Sequence, residues 1–165
     1  NENGILFGNS SSSQDGGIIF NNTANAHGLQ FRTNGNQTRM VITSGGYVGI
    51  GTTTPSTALQ VNGQVTATSF NATSDYRIKQ NITELSAADT VDTLRPVRYL
   101  NTELNKNDIG LIAHEVQSVY PEIVSGEYNG ETNQSLNYSG LIPVLINEIK
   151  MLKARVTELE HKLDN

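Results

Sequence analysis

The C-terminal residues constrain the fold of this chain more than any other stretch. Ile142, Leu145, Ile149, Leu152, Val156, Leu159 and Leu163 are spaced 3, 4, 3, 4, 3, 4, an unbroken heptad seam. Such spacing puts all seven on one narrow stripe of an α-helix, and a stripe of that kind is buried by winding against other helices. With Ile142, Ile149 and Val156 at a and Leu145, Leu152 and Leu159 at d, Glu148 and Arg155 fall at g, with Lys153 and Glu160 at the following e positions. Both g to e pairs are opposite in sign, as a parallel in-register coiled coil requires. Pro143 fits only in the first helical turn, which predicts a start near Ser139. An amphipathic helix lying on its own domain would show a similar stripe, but it would not need the matched charges. The seam alone leaves two and three strands open, because β-branched a with Leu d leans toward two. About three heptads are marginal in isolation, so the helix is expected to act together with the globular part.

The rest of the chain divides by composition. Residues 1–73 carry four charged side chains (Glu2, Asp15, Arg32, Arg39), whereas the remaining 92 carry 23, and the first half holds 11 of the 15 Gly. A weak repeat runs through it: "NGILFGN" at 3–9, "GGIIFNN" at 16–22 and "HGLQFRTN" at 27–34, each a Gly, an aliphatic residue, any residue, then Phe. Then follow "RMVITSGGYVGIG" and "ALQVNGQVTA". Short apolar runs between Gly, Asn and Ser clusters predict brief strands with tight turns. Their apolar side chains are too few for a monomeric core. The expected architecture is therefore an intertwined β-rich shaft, in which strands of identical chains wind together, pair their edges and bring Ile5, Phe7, Ile18, Phe20, Leu29 and Phe31 to a common axis. A Gly-rich disordered linker is the alternative, and the recurring Phe positions are unlike a solvating sequence.

The second half reads as a small α+β domain. Ser86 is placed to cap a short helix over 87–94, with Asp89 at the capping-box position, and "PVRYLN" follows as a strand. In "GLIAHEVQSVYPEIV", Ile112, Val116 and Val119 fall at i, i+4 and i+7 and Pro121 closes the segment, which predicts a helix of two to three turns. Asn129-Gly130, between "EIVSGEY" and "QSLNY", is a hairpin signal.

Several functions are excluded by what the 165 residues contain. Eleven basic and 16 acidic residues give a net charge of −5 with no basic run, so nucleic acid is not an expected partner. There is no Cys and only His27, His114 and His161 as scattered imidazoles, so neither a metal nor any cofactor is expected. No apolar run is long enough for a membrane, no signal peptide opens the chain, and its first residues read as the middle of something longer. No carboxylate pair of the glycosidase kind is visible, so no such activity is expected of these residues.

"SDYRIKQNI" at 74–82, "LRPVRYLN" at 94–101, "IGLIAHEVQSVYPEIV" at 109–124 and "LNYSGLIPVLINEIKMLKARVTELE" at 136–160 together resemble the intramolecular chaperone auto-processing domain. That family lies at the C-terminus of phage tail fibres, endosialidase tailspikes and neck appendages. The first half resembles the tail-fibre shaft segments that often precede it, with "YVGIGTTTPSTALQVNG" the most familiar run. The resemblance implies three parts: a β-rich fibre shaft at 1–73, an α+β chaperone and autoprocessing domain at 74–140, and its coiled-coil helix at 141–165. It also implies a homotrimer that helps an upstream triple-stranded β-helix of the same polypeptide to fold. The domain then cuts itself off with a Ser/Lys dyad, which falls here on Ser74 and Lys79. The fibre would belong to a virion, with the chaperone domain lost during assembly in the host cell. His114 departs from the family pattern, which often has Gln before the Glu, and no role is assigned to it.

The implied chemistry has a physical gate. A serine hydroxyl is a poor nucleophile until a base takes its proton, and an unprotonated lysine can be that base. A lysine at its reference value near 10.4 is neutral about once in two to three thousand molecules at pH 7, and burial shifts that balance toward the neutral form. Assembly that buries the lysine would thus switch cleavage on. Attack by Ser74 on the preceding carbonyl would cut Thr73-Ser74 through a five-membered ring, whereas attack on its own carbonyl needs a strained four-membered one. The family is described as cutting on the C-terminal side of the serine, which is Ser74-Asp75 here, with Oγ acting through a water or coming from a neighbouring chain. Without the resemblance, Lys79 would read as a solvated linker lysine and Ser74 as a cap. Two competing functions stand beside the leading one: a structural trimeric cap or receptor-contact tip that never cuts, and a protease acting on other proteins, for which no substrate cleft is implied.

Overall fold

Six short strands in the first half pair with one another in chain order. They are β1 (Glu2–Phe7), β2 (Gly16–Asn21), β3 (Gly28–Thr33), β4 (Gln37–Thr43), β5 (Val48–Ile50) and β6 (Leu59–Val61). Neighbours are antiparallel except β5 and β6, which run parallel. The computed structural model describes residues 2–21 and 28–164, and its compact units are residues 1–72 and 73–165. His27, one of the three imidazoles weighed above, lies outside the described residues. The β3–β4 turn is Asn34, Gly35 and Asn36, all at positive φ (51°, 73° and 62°), a run that only Gly and Asn adopt readily.

The register explains the repeat. Ile5 faces Ile18, which faces Phe31, then Met40, then Ile50; Phe20 faces Leu29, then Ile42, then Val48. The two apolar positions of each repeat are two residues apart, so they fall on one face of the sheet. That face is uncovered, with Ile5 64% exposed and Phe7 56%. The opposite face is closed: Ile19, Gln30 and Val41 are fully buried, and Gln30 Oε1 accepts from Arg32 Nε at 2.8 Å and Thr38 Oγ1 at 3.0 Å. Pro55 is buried there against Gly49. Within the chain each strand thus pairs with the next, and among the described residues the outer edges of β1 and β6 have no partner strand. A Cβ on Gly49 would sit 2.4 Å from the Thr52 carbonyl oxygen and 3.1 Å from Val41 Cγ1. Gly49→Ala is expected to destabilise this unit by about 1–3 kcal/mol through overpacking, measurable as a lower urea midpoint.

The second unit is built around a long helix. Strands β7 (Val97–Asn101) and β8 (Lys106–Gly110) form an antiparallel hairpin, followed by helix α1 (Ala113–Gln117), the two-residue strands β9 (Val124–Ser125) and β10 (Ser135–Leu136), and helix α2 (Leu141–Leu163). Pro143 lies in the first turn of α2, where its missing N–H is harmless. Val116, Tyr120, Leu141 and Val144 are the buried core, with Val91, Leu94, Leu111, Ile123, Val124 and Leu136 packed around them. The expected hairpin exists, but Asn129-Gly130 is only one turn within its nine-residue connection 126–134, with Asn129 at φ 57°.

Two helix expectations are corrected. Residues 87–94 form turns rather than a helix. Ser86 and Asp89 do make the capping contacts, the Ser86 N–H donating to Asp89 Oδ2 at 2.7 Å. The next backbone groups are claimed from afar: Glu148 accepts the Val91 N–H at 3.1 Å and the Thr90 hydroxyl, and the Thr90 carbonyl accepts from Tyr120 Oη at 2.9 Å. The helix expected in 110–124 is just over one turn, five residues long. Gly110 is held in β8 opposite Val97, Ile112 is extended at φ −94° and ψ 121°, and Tyr120, which precedes Pro121, is at φ −130° and ψ 71°, as the steric demand of proline on its predecessor dictates.

One ion pair gives this unit a pH dependence. The Arg95 guanidinium bonds the Glu115 carboxylate, which holds that carboxyl below its ordinary value of 4.5. A carboxyl depressed by folding contributes stability above its unfolded value and loses it as pH falls through the folded one. Arg95→Gln is therefore expected to flatten the loss of melting temperature below pH 4.5, by a small margin because the pair is exposed and screened.

Candidate functional site

The opening of the second unit folds into a single tight turn. Asp75 is extended at φ −65° and ψ 138° and caps a 3₁₀ turn over Tyr76–Ile78, its Oδ1 accepting the Arg77 N–H at 2.8 Å. An aspartate bonding the backbone two residues on is a local motif that short acidic side chains favour. The Arg77 guanidinium returns to the same carboxylate, Nε to Oδ1 at 2.9 Å and Nη2 to Oδ2 at 2.9 Å. The Lys79 N–H closes the turn on the Tyr76 carbonyl at 3.0 Å. Five residues after Ser74, Lys79 is thereby turned back, and its Nζ lies 2.7 Å from Ser74 Oγ.

That distance is compatible with proton transfer in either direction. A charged ammonium donates to the hydroxyl oxygen; a neutral amine accepts the hydroxyl proton across the same gap and leaves an activated alkoxide. Ser74 and Lys79 are exposed and Asp75 is half-buried; Tyr76, Ile78 and Ile82 stand exposed around them. The Arg77 guanidinium holds the Asp75 carboxyl below its ordinary range.

The heptad residues lie on the uncovered side of α2. Leu141 and Val144 are buried in their own domain, whereas Ile142, Leu145, Ile149, Leu152, Val156, Leu159 and Leu163 are all exposed, Ile149 by 54% and Leu152 by 62%. The stripe is therefore distinct from the face that packs on the domain. Of the four charges at g and e, Glu148 is engaged within its own chain by Thr90 and Val91, and Arg155 bonds Glu158 at 2.9 Å. Beside Glu148, Asn147 Nδ2 donates to the Ser86 carbonyl at 2.8 Å. Asn147 and Glu148 thus fasten the segment 86–91 to α2, a role that sequence analysis missed because it links residues some sixty positions apart, and Tyr120 ties Thr90 to the core from a third place in the chain. His114 packs against Tyr128, with ring centroids 4.5 Å apart and planes tilted by 45°. Among the described residues no group of three or more His, Cys, Asp or Glu could hold a metal ion, and no helix is long and apolar enough to cross a membrane.

The family profile described as chaperone of endosialidase, which is named as a peptidase family, matches residues 74–125, from the serine of the turn to the end of β9. These residues are a domain of that family, as their motifs suggest. Relatives include the long tail fiber protein Gp37 of Enterobacteria phage K3, 35% identical over 98 residues that cover 54% of this chain and 8% of that protein. The protein of the same name from Enterobacteria phage T2 is also 35% identical over 98 residues, with 54% and 7% covered, and that of Escherichia phage AR1 is 35% identical over 78 residues, with 42% and 7% covered. The chain thus spans less than a tenth of the length of these relatives.

Proposed function

We propose that this chain is the C-terminal part of a phage fibre in which residues 74–165 act as an intramolecular chaperone. Three copies associate along α2 as a coiled coil, the β-rich residues 1–73 of the three chains assemble into a shaft, and the chaperone releases itself by autoproteolysis at Ser74-Asp75. The observation that carries the reading is the 2.7 Å contact of Lys79 Nζ with Ser74 Oγ, within a domain of the endosialidase-chaperone family. The uncovered seam of α2 and the uncovered apolar face of the sheet support the assembly, because faces of this kind are stable only when another surface covers them. Virion association follows from the long tail fibre relatives.

Assembly in this order has a kinetic rationale. Strand pairing that depends on register is slow, and a one-residue slip turns every side chain to the wrong face. A helical seam forms from local contacts and then holds the three shaft segments at effective concentrations on the order of mM. Burial of Lys79 by the assembled copies favours its neutral form, which takes the Ser74 proton. Oγ of a neighbouring copy attacks the Ser74 carbonyl carbon, the C–N bond breaks as the Asp75 nitrogen takes the proton from Lys79, and a water then hydrolyses the resulting ester to free the hydroxyl. Alternatively the dyad deprotonates a water whose oxygen attacks the same carbon directly; either way one water is consumed. A shaft freed of its reversible clamp persists because it unfolds slowly.

A non-cleaving trimeric cap is the second reading, favoured by the exposure of Ser74 and Lys79 in the single chain. Intact mass and N-terminal sequencing of freshly purified protein, incubated at neutral pH, separate the two. Two fragments, the second beginning at Asp75, are the expected result. A single stable mass in a preparation that sediments as a trimer leaves only the cap.

A further inference from the structure

We propose that Arg77 withholds the Asp75 carboxylate from Lys79, so that the lysine beside the nucleophile faces a neutral pair rather than an anion; Asp75 and Arg77 are then positioning residues of the dyad. The inference rests on the Ser74/Lys79 reading and adds a control to it. The hydroxyl that Lys79 Nζ meets at 2.7 Å belongs to Ser74, whose neighbour in the chain, Asp75, carries a carboxylate. A carboxylate within about 4–6 Å of an ammonium holds its proton in place, which is the opposite of what a general base needs.

The geometry of the turn removes this conflict. Both oxygens of Asp75 are taken: Oδ1 accepts from the Arg77 N–H at 2.8 Å and Nε at 2.9 Å, and Oδ2 accepts from Nη2 at 2.9 Å. This two-pronged geometry is one in which a guanidinium matches a planar carboxylate and an ammonium does not. Lys79 makes no ion pair among the described residues, and its ammonium bonds Ser74 Oγ. Asp75 and Arg77 are the other charged groups of the turn, and among the described residues no hydrogen bond or ion pair joins Lys79 to an ionisable side chain of another element. The depressed Asp75 carboxyl is consistent with a carboxylate committed to Arg77.

The test is a double-mutant cycle on the full chain, read as the pH dependence of the single-turnover cleavage rate. Arg77→Gln frees the carboxylate, so the profile is expected to move to higher pH by about one unit, with cleavage at pH 7 about tenfold slower. Asp75→Asn keeps a capping oxygen but leaves the Arg77 cation unpaired, so its profile is expected to move to lower pH. Arg77→Gln with Asp75→Asn removes both charges and should restore the rate to within about threefold of wild type, an outcome that a merely structural loss of the guanidinium clamp does not predict. An unmoved profile in Arg77→Gln, or a double variant as slow as the single one, overturns the proposal. Sedimentation velocity checks that each variant assembles like wild type. A second readout does not depend on cleavage: in the Ser74→Ala chain, acetylation of Lys79 by an amine-selective reagent at pH 8, followed by peptide mass spectrometry, should slow in Arg77→Gln and recover in the double variant. If wild type never cleaves, the autoproteolysis reading falls and labelling still decides the role of Arg77. If wild type cleaves and neither labelling nor profile responds, only the role of Arg77 falls.

Discussion

Ser74→Ala is expected to leave the 165-residue chain whole under conditions in which wild type divides into residues 1–74 and 75–165. Removal of Oγ deletes the nucleophile, and no other hydroxyl is described within hydrogen-bonding distance of Lys79 Nζ. Lys79→Ala should have the same outcome by removing the base, and Lys79→Arg should not rescue it, because a guanidinium stays protonated. A positioned general base contributes about 10² to 10⁴ in rate, so residual cleavage in the lysine variants should be slower by at least the lower figure. The fold should be unaffected, since both side chains are exposed and neither touches the buried cluster of Val116, Tyr120, Leu141 and Val144. Mass spectrometry over several days, with circular dichroism as a control for folding, reads both parts. Fragments from Ser74→Ala at the wild-type rate would sink the dyad.

The second large effect concerns the seam. Ile149→Glu with Leu152→Glu is expected to abolish association while leaving each monomer folded. Covering an Ile or Leu side chain contributes about 1.5–3 kcal/mol. Both are already partly covered in the monomer, so two such residues in each of three chains account for roughly 5–10 kcal/mol of assembly, a change of several orders of magnitude in the association constant. Introduced carboxylates facing one another across the axis add repulsion. The monomer tolerates the change because both positions are more than half exposed and the helix is anchored to its domain by Leu141, Val144, Asn147 and Glu148. Sedimentation equilibrium distinguishes the cases. Persistent trimers would move the interface elsewhere, and an unfolded monomer would mean that the stripe packs on its own domain.

How much of this was legible depended on how local the signal was. The C-terminal helix announced itself through seven residues in strict 3 and 4 spacing, and the position of Pro143 fixed its start to within a turn. The alternation in the Gly-rich half was equally legible: the apolar positions named from the repeat do share one face, because a period of two needs no knowledge of the partner strand. What alternation could not give was the identity of the partner: the six strands pair with one another in chain order, and the outer edges of β1 and β6 stay open. The helix expected over 87–94 failed for the opposite reason. Its capping residues behave as caps, but Glu148 and Tyr120, far away in sequence, take the backbone groups that a helix would have used. Three apolar residues at i, i+4 and i+7 were too few to separate a helix from the end of β8 followed by one turn. At the site, nothing in the residues alone distinguished Ser74 and Lys79 from a linker, since a spacing of five belongs to no regular periodicity and only the family resemblance singled them out. The clamp of Asp75 on Arg77 was written in "SDYR" as an aspartate two residues before its own donor, a turn motif that carries no marker of chemistry.

The fastening of residues 86–91 to α2 has a consequence for reach. Between Lys79 and Ser86 lie six exposed residues without regular structure, 80–85, which extend to about 20 Å at most. Neighbouring helices in a bundle are separated by about 8–10 Å. In the proposed trimer a tether of that length would let the hydroxyl of one copy reach the carbonyl of the next, yet keep all three at effective concentrations on the order of mM. On that reading the slack would permit exchange between chains and forbid wandering. Adding residues to it should slow the cut gradually, whereas removing most of them should stop it at once.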